Sequence, residues 1–475
     1  MINKSKIKSS QIGLIFLYLG IFFIPFNSFE GIGALGEFRN ESAAYFFFIG
    51  FMFVLSNFVK NRQIFFPYKS ELFKYLLLFL FWCAVTTILN IYGVSQNYYK
   101  QTPGIYRFIR QYFSLLLSSF AFLLFYLNVL RHLSVEDILL KIRKVFLCSL
   151  TVASVYGFFE ILITFFKKEE LIGVLTLFNY FPFLEVVLHG YERISSISYE
   201  PPWLAIYLIT ISAWMFSYII TEKGAKKFVP AILVLVLTFF SGSRTGLFVV
   251  SVQVIIFFGI LFSFKKYRKY VIYFLGCFFL IGTILIVING DKVSKEVTRK
   301  LETLDFIGNL TENVSNKSRF GMQYASLQVF AENPIIGVGF GQQTYYSRFH
   351  YPNWATKDNY EFDLFYKNQY LKSFPPGYNV YTRVMAETGL IGIFIFLLMA
   401  FMIIAQTLLI IKNSSQERKV LAIILLVSFI GFYINWLQID TFRLYGFWLS
   451  FAVLIIIIKH KRDSSKNGKN SQKRL

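Results

Sequence analysis

Apolar runs of about 17 to 22 residues recur along the chain, separated by short polar segments. Each is long enough to cross a hydrocarbon core of ~30 Å as a helix. The pattern predicts twelve spans, over residues 11–27, 43–59, 73–92, 110–130, 145–166, 203–221, 227–241, 246–263, 270–289, 388–411, 420–436 and 442–458. Residues 1–289 then hold spans one to nine, 290–387 form an extracytoplasmic loop or cap, 388–458 hold spans ten to twelve, and 459–475 form a basic tail. The predicted class is an all-α polytopic membrane protein.

Residues Leu171 to Leu188 are also apolar, but Asn179 and Pro182 interrupt them. They are expected to form an interfacial or re-entrant piece buried against other helices. Within the large loop, Phe320, Tyr324, Leu327 and Phe330 recur at helical spacing until Asn333-Pro334 stops them. This predicts an amphipathic helix lying over the membrane domain. The Lys, Ser and Asn-rich tail from Lys459 to Leu475 is expected to be disordered near anionic headgroups. The first run follows Lys4, Lys6 and Lys8 without a small-x-small cleavage site, so it is read as a span.

Composition agrees with the pattern: 56% of residues are hydrophobic and 16% are charged, against about 25% charged in soluble domains. Charge then orients the chain. With both termini cytoplasmic, the inner segments carry 28 Lys and Arg against six acids, which accounts for the entire net charge of +22. That asymmetry follows the positive-inside bias and argues against a nucleic-acid partner. Cys83, Cys148 and Cys277 sit inside apolar runs without CxxC spacing and are read as small buried hydrophobes.

Several chemistries lack their residues. There is no GxxxxGK[ST] phosphate loop, and Gly337, Gly339 and Gly341 read as a tight turn leaving the capping helix. Glu160 is nearly the only ionisable group inside a span, and the spans show no paired broken segments of the kind that form transporter sites. His189 and His350 have no ligand partner at short spacing, and Glu361 with Asp363 is only a weak cation candidate, so no metal or other cofactor is expected.

The outer mouths of the spans carry arginines instead. Arg193 leads into span six, Arg244 lies in the turn between spans seven and eight, Arg319 opens the capping helix, and Arg383 precedes span ten. A guanidinium is always charged and forks onto phosphate oxygens, so this set suits an anionic phospholipid-like head group; snorkelling or local ion pairing is the competing role for each. Glu200, fixed by Pro201 and Pro202, is the favoured general base, with pairing to an arginine the alternative. Glu387 is second, and Arg383 to Glu387 also has the spacing of a helix ion pair.

In order and context, these segments resemble the O-antigen ligase and Wzy-type polysaccharide polymerase superfamily of bacterial inner-membrane proteins. The matching pieces are Arg193-Ile-Ser-Ser-Ile-Ser-Tyr-Glu-Pro-Pro-Trp-Leu-Ala, Ser241-Gly-Ser-Arg-Thr-Gly, Arg319 through Asn333-Pro-Ile-Ile-Gly-Val-Gly-Phe-Gly, and Tyr378-Asn-Val-Tyr ending in Glu387-Thr-Gly-Leu-Ile-Gly. They span roughly residues 190–395. The resemblance implies glycan transfer from undecaprenyl pyrophosphate to an acceptor hydroxyl on the outer face of the membrane, with Arg193, Arg244 and Arg319 holding the pyrophosphate. Ligases of the superfamily carry a histidine immediately before the asparagine that precedes span ten, where this chain has Tyr378. A phenol with a pKa near ~10 is a poor base, which favours the polymerase branch. The expected partners are a lipid-linked repeat unit, membrane lipid and a chain-length regulator. The alternatives are a ligase that delivers polymer to lipid A core and a glycan transporter.

Overall fold

A computed structural model describes residues 4–189, 193–265 and 313–472, with scattered positions between 267 and 298. The chain is an all-α polytopic membrane protein. Its main helices are α1 (Lys4–Phe22), α2 (Ser42–Asn61), α3 (Glu71–Leu89), α4 (Gly104–Leu130), α5 (Val135–Thr164), α6 (Pro201–Thr221), α7 (Val229–Phe240), α8 (Arg244–Phe262), α9 (Val314–Glu332), α10 (Val380–Asn413), α11 (Gln416–Asn435) and α12 (Tyr445–Gln472). Seven of these, α2 to α6, α8 and α10, are long and apolar enough to cross a membrane. The expected ninth span, Cys277 and residues 290–312 of the loop lie wholly or largely outside the described residues.

Local sequence sets the helix starts. Ser134 caps α5 by accepting the N–H of Asp137 at 3.0 Å, Pro201 and Pro202 open α6, and Ser243 caps α8 by accepting the N–H of Gly246 at 3.2 Å. Asn379 caps α10 through the N–H groups of Tyr381 and Thr382 at 2.8 and 3.2 Å. Helix α10 therefore begins eight residues before the expected span and carries Arg383 and Glu387 as helical residues. α12 likewise continues to Gln472, through a stretch expected to be disordered. Once nucleated by its apolar half, that helix adds a hydrogen bond per residue.

The core is aromatic. Trp214, Trp436 and Trp448 are fully buried, and Trp436 packs on Phe447 with ring centroids 4.7 Å apart. Large apolar side chains such as Ile255, Phe394 and Phe401 face outward, as lipid contact requires. Cys83 is buried, but Cys148 is exposed on the outer side of α5, where the surrounding medium is itself apolar, contrary to its expected burial.

The basic connectors gather at one end of the bundle. There Arg143 of α5 pairs with Glu222 at 2.9 Å, Asn128 bonds the Phe65 backbone, and Lys459 lies 4.3 Å from the Phe65 ring centroid. The opposite end carries the cap. Residues 169–180 form only short helical turns there, with Leu175 and Leu184 buried, Phe181 stacked on Phe26 at 5.3 Å, and Tyr180 exposed.

Two features of the cap differ from the pattern read in the sequence. Helix α9 buries Asn316, Ser318, Gly321, Met322, Ala325, Ser326 and Val329, while Tyr324 and Leu327 of the expected apolar face are exposed. Small residues on the inner face allow close approach, and a Cβ at Gly321 would overlap Ala355. The second is a break in α10 at Gly389 (φ 65°, ψ −167°). The backbone groups around the break are taken up by the glycine-rich turn. Leu390 N–H donates to Pro334 O at 2.7 Å, while Val338 and Gly339 donate to Ala386 O and Glu387 O at 3.0 Å each. A Cβ at Gly337 would stand 2.5 Å from Glu387 backbone, so this turn needs glycine for proximity as well as for its φ of 68°.

Candidate functional site

The segment before α6 is irregular and is held from inside the bundle. Glu160, fully buried near the end of α5, accepts the N–H groups of Ser195 at 3.0 Å and Ser196 at 2.7 Å. Ile194 N–H donates to Phe240 O at 3.2 Å, and Ser196, itself at φ 52°, donates through its hydroxyl to Ala153 O at 2.7 Å. This pinning presents Arg193. Its side chain crosses Gly242, where an added Cβ would stand 2.8 Å from Arg193 Cγ, so the turn before Arg244 is shaped around Arg193.

Three of the four expected arginines converge. Arg244, the first residue of α8, donates to Asn316 Oδ1 of α9 at 3.0 Å. Arg319, one turn further along α9, donates to Ser315 Oγ at 3.3 Å and to Gln438 O at 3.2 Å. Arg193 and Arg244 both feel the positive charge of Arg319. Burial, together with Arg319, lowers the pKa of Arg193 against the opposing pull of Glu200. The Nε of Arg193 is buried without a partner. Among the described residues the three guanidiniums make three hydrogen bonds between them, and none has a carboxylate within ion-pair distance. Glu200 is exposed at the N-cap of α6, and its side chain makes no capping hydrogen bond there.

Arg383 is differently placed. It is buried and fully engaged, donating to Glu387 Oε1 at 3.2 Å, Asp440 O at 2.8 Å and Gln111 Oε1 at 2.9 Å. Glu387 is buried with it, its other carboxylate oxygen unpartnered. The pair belongs to a second cluster in which Gln111 and Arg443 both bond Glu37, and Arg443 also reaches Glu41 at 2.9 Å. Burial alone would raise the Glu37 carboxyl, but Arg443, Arg110, Arg383 and Arg107 together hold it below its ordinary value. The sequence reading did not single out Glu37, Arg107, Arg110 or Arg443. The available signal was Arg107 and Arg110 on one face at the mouth of an otherwise apolar span.

Tyr378 lies beside the first cluster. The Arg319 guanidinium sits over its ring, 4.7 Å from the centroid, and its backbone is left-handed at φ 55°. Its hydroxyl is 2.7 Å from that of Tyr366, which donates to Glu361 Oε2 at 2.9 Å. Burial raises the pKa of Tyr378, against the opposing influence of Tyr366 and Arg319, so its phenol stays protonated near neutrality.

No curated protein matches the chain. Residues 229–397 match the family model described as O-Antigen ligase, a segment that contains Arg244, Arg319, Tyr378, Arg383 and Glu387. Over this segment the chain is similar to the O-antigen ligase family of membrane glycan-processing proteins.

Proposed function

We propose that the protein is a polymerase that joins undecaprenyl-pyrophosphate-linked repeat units on the outer face of the bacterial cytoplasmic membrane. One observation carries this reading. Arg193, Arg244 and Arg319 are drawn together with few protein partners, and clustered cations of this kind require a strong anion among them. A diphosphate fits. Its leaving oxygen gains negative charge as the glycosidic bond breaks, and guanidiniums already in place stabilise that charge without a nucleotide or metal. Similarity to the O-antigen ligase family over residues 229–397 supports glycan transfer in general. The tyrosine at position 378, where ligases of the superfamily carry histidine, favours an acceptor that is itself a lipid-linked repeat unit.

Incubating the purified protein with one lipid-linked repeat unit and no second acceptor tests this. Longer lipid-linked chains are expected. Transfer that begins only when lipid A core is added would make the protein a ligase. Absence of any covalent product with either acceptor would overturn the enzyme reading and favour glycan transport.

A further inference from the structure

Resting on the glycosyl-transfer reading, we infer that Tyr378, Tyr366 and Glu361 form a proton relay that takes the proton of the acceptor hydroxyl. The direction of the chain follows from hydrogen-bond chemistry. The Tyr366 hydroxyl donates to Glu361 Oε2, so its one proton is committed there. Tyr366 must then accept at its oxygen from Tyr378, which leaves the Tyr378 oxygen with a free lone pair and no proton of its own to offer a substrate. The end of the chain is therefore an acceptor for a hydroxyl, set beside Arg319.

The relay is held on every side. Tyr99, in the strand β1 (Tyr98–Tyr99), donates through its hydroxyl to Tyr366 O at 2.7 Å. Lys100, in the turn to β2 (Thr102–Pro103), is buried and donates to Phe365 O and Asn368 O at 2.7 and 2.8 Å. Asn359 accepts the N–H of Glu361 at 3.1 Å and donates to Ser318 of α9 at 3.0 Å. The Phe362 ring packs edge-on against Tyr366, with centroids 5.2 Å apart. This support preorganises two phenols whose other functions are not evident from packing.

In the reaction, the acceptor oxygen bonds to the anomeric carbon of the donor as the bond from that carbon to the diphosphate oxygen breaks. The electron pair leaves on the lipid diphosphate held by Arg193, Arg244 and Arg319. The acceptor proton moves to Tyr378 Oη, the proton of Tyr378 to Tyr366 Oη, and that of Tyr366 to Glu361 Oε2. Both phenols end neutral, and half-buried Glu361 releases its proton to water. Neither phenol has to exist as a free phenolate, which removes the objection that tyrosine is too weak a base. Tyr366 and Glu361 are positioning residues that act through Tyr378.

The test uses the full chain in nanodiscs, with the lipid-linked glycan pool extracted from cells that make the protein. Tyr366→Phe keeps the ring and removes the relay, and turnover should fall roughly tenfold to hundredfold while KM for the donor and binding of undecaprenyl diphosphate stay within about twofold. In mixtures of light and heavy water, the wild-type rate should curve with isotope fraction, as several protons move together, and the Tyr366→Phe rate should vary linearly. Glu361→Gln should lose turnover without losing diphosphate binding. Unchanged turnover and curvature in Tyr366→Phe, or loss of turnover only in Glu200→Gln, overturns the relay. A wild-type protein that binds the diphosphate but transfers no glycan overturns the transferase reading and the relay with it.

Discussion

Glu160 holds Ser196 by a 2.7 Å hydrogen bond from a position with no exposure to solvent. The bond joins a turn near the C-terminal end of α5 to the irregular segment that carries Arg193, and its companion to Ser195 uses the second carboxylate oxygen. Glu160→Ala would strand two buried N–H groups at a cost of about 1–3 kcal/mol each. The expected result is a lower thermal midpoint in detergent and weaker binding of undecaprenyl diphosphate. Glu160→Gln, which keeps one acceptor oxygen, should lie between wild type and alanine in both measurements.

The arginines of the first cluster should behave as binding residues. Replacing Arg193 or Arg319 by alanine is expected to weaken undecaprenyl diphosphate binding by about tenfold to hundredfold, the value of a charge-assisted hydrogen bond. Lysine keeps the charge but loses the fork and should recover only part of the affinity. Because few protein partners are lost, thermal stability should hold. A titration of the purified protein, repeated at rising salt, checks both expectations.

Arg383→Ala should fail differently. It leaves Glu387 buried without its cation, which costs about 3–5 kcal/mol, so loss of folded protein in a thermal melt should precede any measurable loss of binding. Pairing it with Glu387→Ala removes the orphaned charge and should restore much of the stability. A folded Arg383→Ala protein with selectively weakened diphosphate binding would return this residue to the phosphate site.

Glu37 makes stability depend on acid. Its carboxyl is held below the ordinary value of 4.5 despite burial, because the surrounding arginines favour the charged form. A group depressed in this way contributes stability in full above its unfolded value and loses it as pH falls through the folded one. Acid unfolding in detergent should therefore steepen below about pH 4.5, and Glu37→Gln should flatten that limb while lowering stability at neutral pH.

The sequence by itself determined the membrane class, the places of most helices, the segregation of basic connectors and the candidacy of Arg193, Arg244 and Arg319. These follow from run length, charge and position at span mouths, all of which are local in sequence. Tertiary structure decided which arginines keep few protein partners and which one is fully engaged. Arg383 meets Gln111 and Asp440, which are 272 and 57 positions away, and no spacing rule reports such a meeting. It also turned Tyr324 and Leu327 of α9 outward, because the small residues opposite fit more closely against their neighbours. Helical periodicity marks a face without saying which side of it will be covered. Glu361, Tyr366 and Tyr378 are close in sequence, yet the Tyr99 hydroxyl and Lys100 ammonium that hold their segment in place come from a hairpin some 260 residues earlier. Hydroxyl chains of this kind depend on positions fixed to a few tenths of an ångström, and only the packed fold supplies them.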